Sequence, residues 1–157
     1  MDDIFKITKD ERRANALQEM AKNRLSAMSS LKESYRIIEE YYEIIKELLT
    51  SFMYLQGFKT LSHKALVEYS AKNIRSLSTQ EITLIDELRI KRNNIVYYGE
   101  QTTIDFLKNR EERIKEIFLL ILMVETLSLL LMLKKLKYLP KKRCIKPIPV
   151  GLGVLKV

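Results

Sequence analysis

At four candidate helix starts along this sequence a serine or threonine stands three residues before an acid and opens onto apolar residues at helical spacing: Thr8/Glu11, Ser30/Glu33, Ser78/Glu81 and Thr102/Asp105. In such a box the hydroxyl accepts from the third backbone N–H while the acid reaches back to the first. Two of the donors orphaned at a helix start are then satisfied together. Gly57 supplies a stop, and Ser62 a cap for one further short helix. Five helices follow, over about residues 9–28, 31–55, 63–75, 79–97 and 103–137.

The first helix sets Ala14, Leu17, Ala21, Leu25 and Met28 on one stripe. The second repeats Tyr35, Ile38, Tyr41, Ile45, Leu48, Phe52 and Leu55, and Tyr42, Ile44 and Leu49 widen that face until it needs more than one neighbour. The third turns Ala65, Leu66 and Tyr69 inward. Short connections between long helices make successive helices antiparallel neighbours. With only 4 glycines, 3 prolines and no tryptophan in 157 residues, the chain is poor in the turns that sandwiches, barrels and Gly-cradled nucleotide folds require. The expected fold is all-α: an up-and-down bundle of about five helices in one domain, residues 1–137, with a basic irregular C-terminal tail, residues 138–157.

A formal net charge of +8 points first to nucleic acid, but its distribution changes the reading. Residues 1–133 carry 20 bases and 20 acids, so the surplus falls entirely in 134–157. That stretch also holds Pro140, Pro147, Pro149, Gly151 and Gly153 and shows no helical period, as a solvated extension would. Cys144 is the one cysteine, which excludes an intrachain disulfide and a Cys-based zinc site. Asp2 and Asp3 stand where a signal peptide carries bases, and no apolar run follows them, so a cytoplasmic location is expected.

From Ile117 to Leu133 only Glu125, Thr126 and Ser128 interrupt an apolar run. A helix of this length reaches about 25 Å, short of a hydrocarbon core of about 30 Å, and a mid-span glutamate is costly in lipid. Membrane insertion is therefore disfavoured. One side of this helix is expected to pack in the bundle while the other meets a second subunit or a partner.

The fourth helix ends in Leu88-Arg89-Ile90-Lys91-Arg92-Asn93-Asn94-Ile95-Val96-Tyr97-Tyr98-Gly99. This string resembles the signature of HEPN domains (higher eukaryotes and prokaryotes nucleotide-binding), in which an Arg-Asn pair precedes a histidine near the end of the same helix. A second stretch, Gly57-Phe58 followed by Ser62-His63-Lys64-Ala65-Leu66-Val67-Glu68-Tyr69, is similar to the family's link between its second and third helices. The resemblance covers about residues 9–133. It implies a helical bundle that pairs as a homodimer, brings two copies of the motif into one cleft and, in active members, cuts RNA without metal or cofactor.

Carried over residue by residue, the resemblance makes Arg92 the holder of the scissile phosphate and Asn93 the polar residue beside it; Arg89, Lys91 and Tyr98, next to the motif in sequence, are candidate substrate contacts. Tyr97 stands where the family's catalytic histidine would be. The change has chemical weight, because imidazole titrates near working pH whereas a phenol, with an ordinary pKa of about 10, donates a proton but is a poor base. Two functions follow from the resemblance: a metal-independent endoribonuclease or toxin-like component with an altered motif built on Arg92, Asn93 and Tyr97, or a noncatalytic homodimeric interaction module. A toxin subgroup of the family pairs with a minimal nucleotidyltransferase that modifies a tyrosine two residues past the histidine. That place is Gly99 here, with Tyr98 one residue early.

His63 is the sole imidazole, and its place at a helix start suggests packing or capping. Glu39, Glu40, Glu43 and Glu47 lie close together on the second helix with no Glu-x-x-His spacing for a di-metal site, as on a solvated face.

Overall fold

The computed structural model describes residues 3–103 and 105–137, apart from the side chains of 125 and 127–137. Its elements run β1 (Ile4–Lys6), α1 (Glu11–Ala27), a 3₁₀ turn (Met28–Ser30), α2 (Ser34–Gln56), β2 (Phe58–Thr60), α3 (His63–Asn73), α4 (Thr79–Tyr98), a one-turn α5 (Asp105–Lys108) and α6 (Glu111–Lys137). The chain is an all-α bundle, with one small antiparallel ribbon that pairs Ile4 with Thr60, Phe5 with Lys59 and Lys6 with Phe58. The expected tail, 138–157, lies outside the described residues.

α2 is the axis of the bundle. Its wide face buries Ile38, Tyr41, Tyr42, Ile44, Ile45, Leu48, Leu49, Phe52 and Met53, and α1, α3, α4 and α6 all pack against it. α1 buries only Ala14 and Ala21, small residues that bring its backbone close, while Leu25 stays partly outside. α4 contributes Leu84, Ile85, Leu88 and Ile95, and α6 contributes Ile114, Ile117, Phe118 and Ile121. Truncating one of the fully buried α2 residues, such as Ile45→Ala, is expected to cost about 2–5 kcal/mol.

Of the four capping boxes only Ser78/Glu81 forms in full: Ser78 N–H donates to Glu81 Oε2 at 2.6 Å, and Glu81 N–H donates to Ser78 Oγ at 3.3 Å. Ser62 caps α3 as expected, accepting from Ala65 N–H at 3.2 Å. Thr8 does not cap α1. Ile7 N–H donates to Gly57 O at 2.9 Å and the ribbon holds the chain extended, so the start moves to Asp10, which accepts from Arg13 N–H at 2.9 Å. Ser30 does not cap α2 either, because its hydroxyl donates to Ala27 O at 2.7 Å and closes the 3₁₀ turn. Gly57 ends α2 at φ +82°, where a Cβ would also meet Ile7 O at 3.0 Å. The expected single helix over 103–137 is broken into α5 and α6, the short turn folding Leu107 into the core and Arg110 over the Phe106 ring. Among the described residues no helix is long and apolar enough to cross a membrane. The apolar run 117–133 continues past the last described side chains.

Candidate functional site

Gly99, at φ +64°, closes α4 by donating its N–H to Ile95 O at 3.1 Å, and so fixes where the Arg-Asn-Asn-Ile-Val-Tyr-Tyr segment stops. On the last turns Arg92 leans toward α2. Its Nη2 lies 3.0 Å from Glu43 Oε1, Nη1 lies 3.4 Å from Asn93 Oδ1, and its guanidinium carbon sits 6.0 Å from the Tyr97 ring centroid. The Arg92 side chain is 17% exposed, so it is covered but not sealed. Its contact with Glu43 is an ion pair without hydrogen-bond alignment, since Glu43 Oε1 is buried and has no hydrogen-bond partner among the described residues. Among the described residues no ion pair or hydrogen bond engages Arg92 Nε, which leaves donor capacity in a group with five N–H bonds.

The structure thus gathers Arg92, Asn93 and Tyr97. Arg89 joins them from one turn earlier, its Nε donating to Asp86 Oδ1 at 2.7 Å. Lys91 does not join: it is paired with Glu100 in the segment after α4. Tyr98, 82% exposed, makes no described ring or hydrogen-bond contact with the cluster, whereas Tyr97, 68% exposed, covers the outer side of Arg92.

The acids of α2 are not a solvated face. Glu47 is buried and Glu43 half-buried; Arg24 of α1 donates Nε to Glu47 Oε1 at 2.8 Å and Nη1 to Glu40 Oε2 at 2.8 Å. Glu43 takes both Lys46 and Arg92. Burial works against its ionisation, but Lys46 and then Arg92 hold its carboxyl below the usual range. For Glu47 burial prevails over Arg24, and its carboxyl is pushed up.

Two residues that sequence reasoning set aside belong to this cluster. His63, the first residue of α3, places its ring 5.7 Å from that of Tyr42. Burial, then Lys46 and Arg92, lower its pKa; Glu43 opposes them and Arg89 adds to them. The shift favours the neutral ring. Tyr42 is buried, and its hydroxyl has no hydrogen-bond partner among the described residues; burial, with Glu43 and Asp86, pushes its pKa up against Arg89 and Arg92. The one sequence signal is that His63 is the sole imidazole and opens a helix.

A cavity of about 560 Å³ lies elsewhere, between β1 and α3, lined by Asp3, Ser62, Lys64, Glu68, Tyr69 and Lys72. Among the described residues no group of three or more His, Cys, Asp or Glu side chains is placed to hold a metal ion. Compared with family models, with curated proteins and with solved structures, the chain matches none.

Proposed function

We propose that this chain is a HEPN-like, homodimeric, RNA-directed protein that cleaves RNA without metal at the end of α4. The observation that carries the reading is the joint placement of Arg92, Asn93 and Tyr97, with the guanidinium anchored by Glu43. An arginine fixed by a second helix meets phosphate in one orientation, which is what transition-state stabilisation by preorganised charge requires. Its unengaged donors take the phosphate oxygens, and Tyr97, exposed beside it, donates to the leaving oxygen. Dimerisation is supported by Leu119 and Met123, large apolar residues 62% and 69% exposed on the outer side of α6.

A second reading has its own observation. Glu43 neutralises Arg92, and a neutralised arginine beside a tyrosine suits a noncatalytic module that pairs with itself or with a minimal nucleotidyltransferase. Product chemistry separates the two. Incubating single-stranded RNAs with the full chain in excess chelator should yield 2′,3′-cyclic phosphate ends, and Arg92→Ala should abolish them. Intact RNA throughout, together with a stable homodimer, would establish the noncatalytic module.

A further inference from the structure

The motif lacks an imidazole, yet the chain's single imidazole lies next to it in space. His63 opens α3 with its ring against Tyr42, and Tyr42 is followed on α2 by Glu43, which holds Arg92 of α4. Three helices therefore bring His63, Tyr42, Glu43 and Arg92 into one contiguous group. The ring is only half-buried, and the neighbouring Tyr42 hydroxyl is a buried polar atom with no hydrogen-bond partner among the described residues. A satisfied core histidine would leave neither feature.

We propose that His63 is a catalytic residue, the general base that takes the proton from the RNA 2′-hydroxyl, supplied in the same chain from α3 in place of the imidazole missing at Tyr97. This rests on the RNA-cleaving reading. In the step, the 2′-oxygen attacks the adjacent phosphorus and gives its proton to the unprotonated nitrogen of His63. The bond from phosphorus to the 5′-oxygen breaks, and that oxygen takes a proton from the Tyr97 phenol. The products are a 2′,3′-cyclic phosphate and a 5′-hydroxyl. Protonated His63 and the Tyr97 phenolate return to their starting forms by proton exchange with water, while Arg92 stabilises the charge on the phosphoryl oxygens.

The charges around the ring suit that task. Lys46 and Glu43 face it from α2, Arg89 and Arg92 from α4, with Asp86 on Arg89, so cations outnumber acids by one. A neutral, proton-accepting ring is favoured in the free chain. An incoming phosphodiester, with one negative charge, cancels that surplus, which strengthens the base when substrate is present.

Because the chain has one histidine, its ring carbon–proton NMR signal needs no assignment. The probes are a mixed-sequence RNA 12-mer for cleavage in chelator and its fully 2′-O-methylated form for binding. The expected results are Arg92-dependent cleavage, a loss of about 100-fold or more in His63→Gln with methylated-RNA affinity kept within about threefold, and a His63 titration that moves upward on binding methylated RNA and coincides with the acid limb of the pH–rate profile. Arg92-dependent cleavage with His63→Gln within a fewfold of the parent and an unchanged acid limb would overturn the role of His63 and leave the ribonuclease standing. Absence of Arg92-dependent cleavage would overturn both. If His63→Gln fails to fold, the NMR titration of the parent decides: a ring indifferent to saturating methylated RNA is not at the substrate.

Discussion

Arg92 on α4 and Glu43 on α2 are 49 positions apart in sequence and 3.0 Å apart in space. This contact ties the motif-bearing end of α4 to the bundle's axis and sets the direction in which the guanidinium presents its remaining donors. It also places an acid where the sequence alone shows a run of glutamates on one helix. A pair 17% and 15% exposed stands between the surface case, worth about 0–1 kcal/mol, and the buried case, where losing one partner costs about 3–5 kcal/mol.

Glu43→Gln should accordingly lower folding stability at pH 7 by about 1–2 kcal/mol. The Glu43 carboxyl is held below its unfolded value of 4.5, so its contribution is complete above that pH and is lost as pH falls through the folded value. Urea melts at pH 7 and pH 3 should show the parent losing more stability on acidification than the variant. The variant should also bind RNA more tightly, with a steeper salt dependence, because Arg92 is no longer neutralised. Parallel pH profiles would mean that the pair contributes nothing in solution.

Arg24 serves Glu40 and Glu47 together, and of these Glu47 is the buried partner. Arg24→Met should cost about 2 kcal/mol at pH 7, because it leaves a buried carboxylate without its ion-pair partner. The sign with pH is opposite to that of Glu43. The Glu47 carboxyl is raised above its unfolded value, so the folded state binds the extra proton and stability rises as pH falls through the folded value, levelling off below about 4.5. Much of the loss should therefore return as pH falls toward 4.5, and Arg24→Met/Glu47→Gln should be more stable than Arg24→Met at pH 7. Equal stabilities of the single and double variants would contradict this.

The outer side of α6 makes its own demand. Leu119 and Met123 lie one turn apart and exposed, an apolar pair that a second copy of the chain would cover. Light scattering should report twice the chain mass for the parent at micromolar concentration and a monomer for Leu119→Lys/Met123→Lys, with helicity unchanged. A monomeric parent would remove both the interface and a composite cleft.

The parts of the fold legible in the sequence were the local ones. The Ser78/Glu81 box, the Ser62 cap and the Gly57 stop depend on residues within one turn, and the wide face of α2 is a matter of periodicity alone. Thr8 and Ser30 looked equally good as caps but were outcompeted, one by a carbonyl at Gly57 that arrives from 50 residues away and the other by a 3₁₀ turn that needs its hydroxyl. β1 and β2, at three residues each, are too short to carry a period. In the candidate site, Arg92, Asn93 and Tyr97 could be named because they share one helix end. Glu43 and His63 could not, since an acid facing water and an acid facing an arginine on another helix have the same helical spacing, and a histidine that opens a helix reads as a capping or packing residue until the neighbouring helices are in place.

The central claim is that Arg92 and its neighbours position RNA phosphate for metal-independent cleavage, and substitution of Tyr97 tests it most directly. Tyr97 already lies over the Arg92 guanidinium, so an imidazole there would meet the same phosphate with a pKa closer to neutrality. Initial cleavage rates of single-stranded RNA should be measured in excess chelator for the parent, Tyr97→His and Arg92→Ala/Tyr97→His, each shown to be folded and dimeric. Tyr97→His should exceed the parent by at least about tenfold, less than the full range of about 10²–10⁴ that a positioned acid–base group supplies because the Tyr97 phenol already acts as the acid, and the double variant should lose that gain. A Tyr97→His protein no faster than the double variant would contradict it, because the cluster would then hold no substrate for an imidazole to act on.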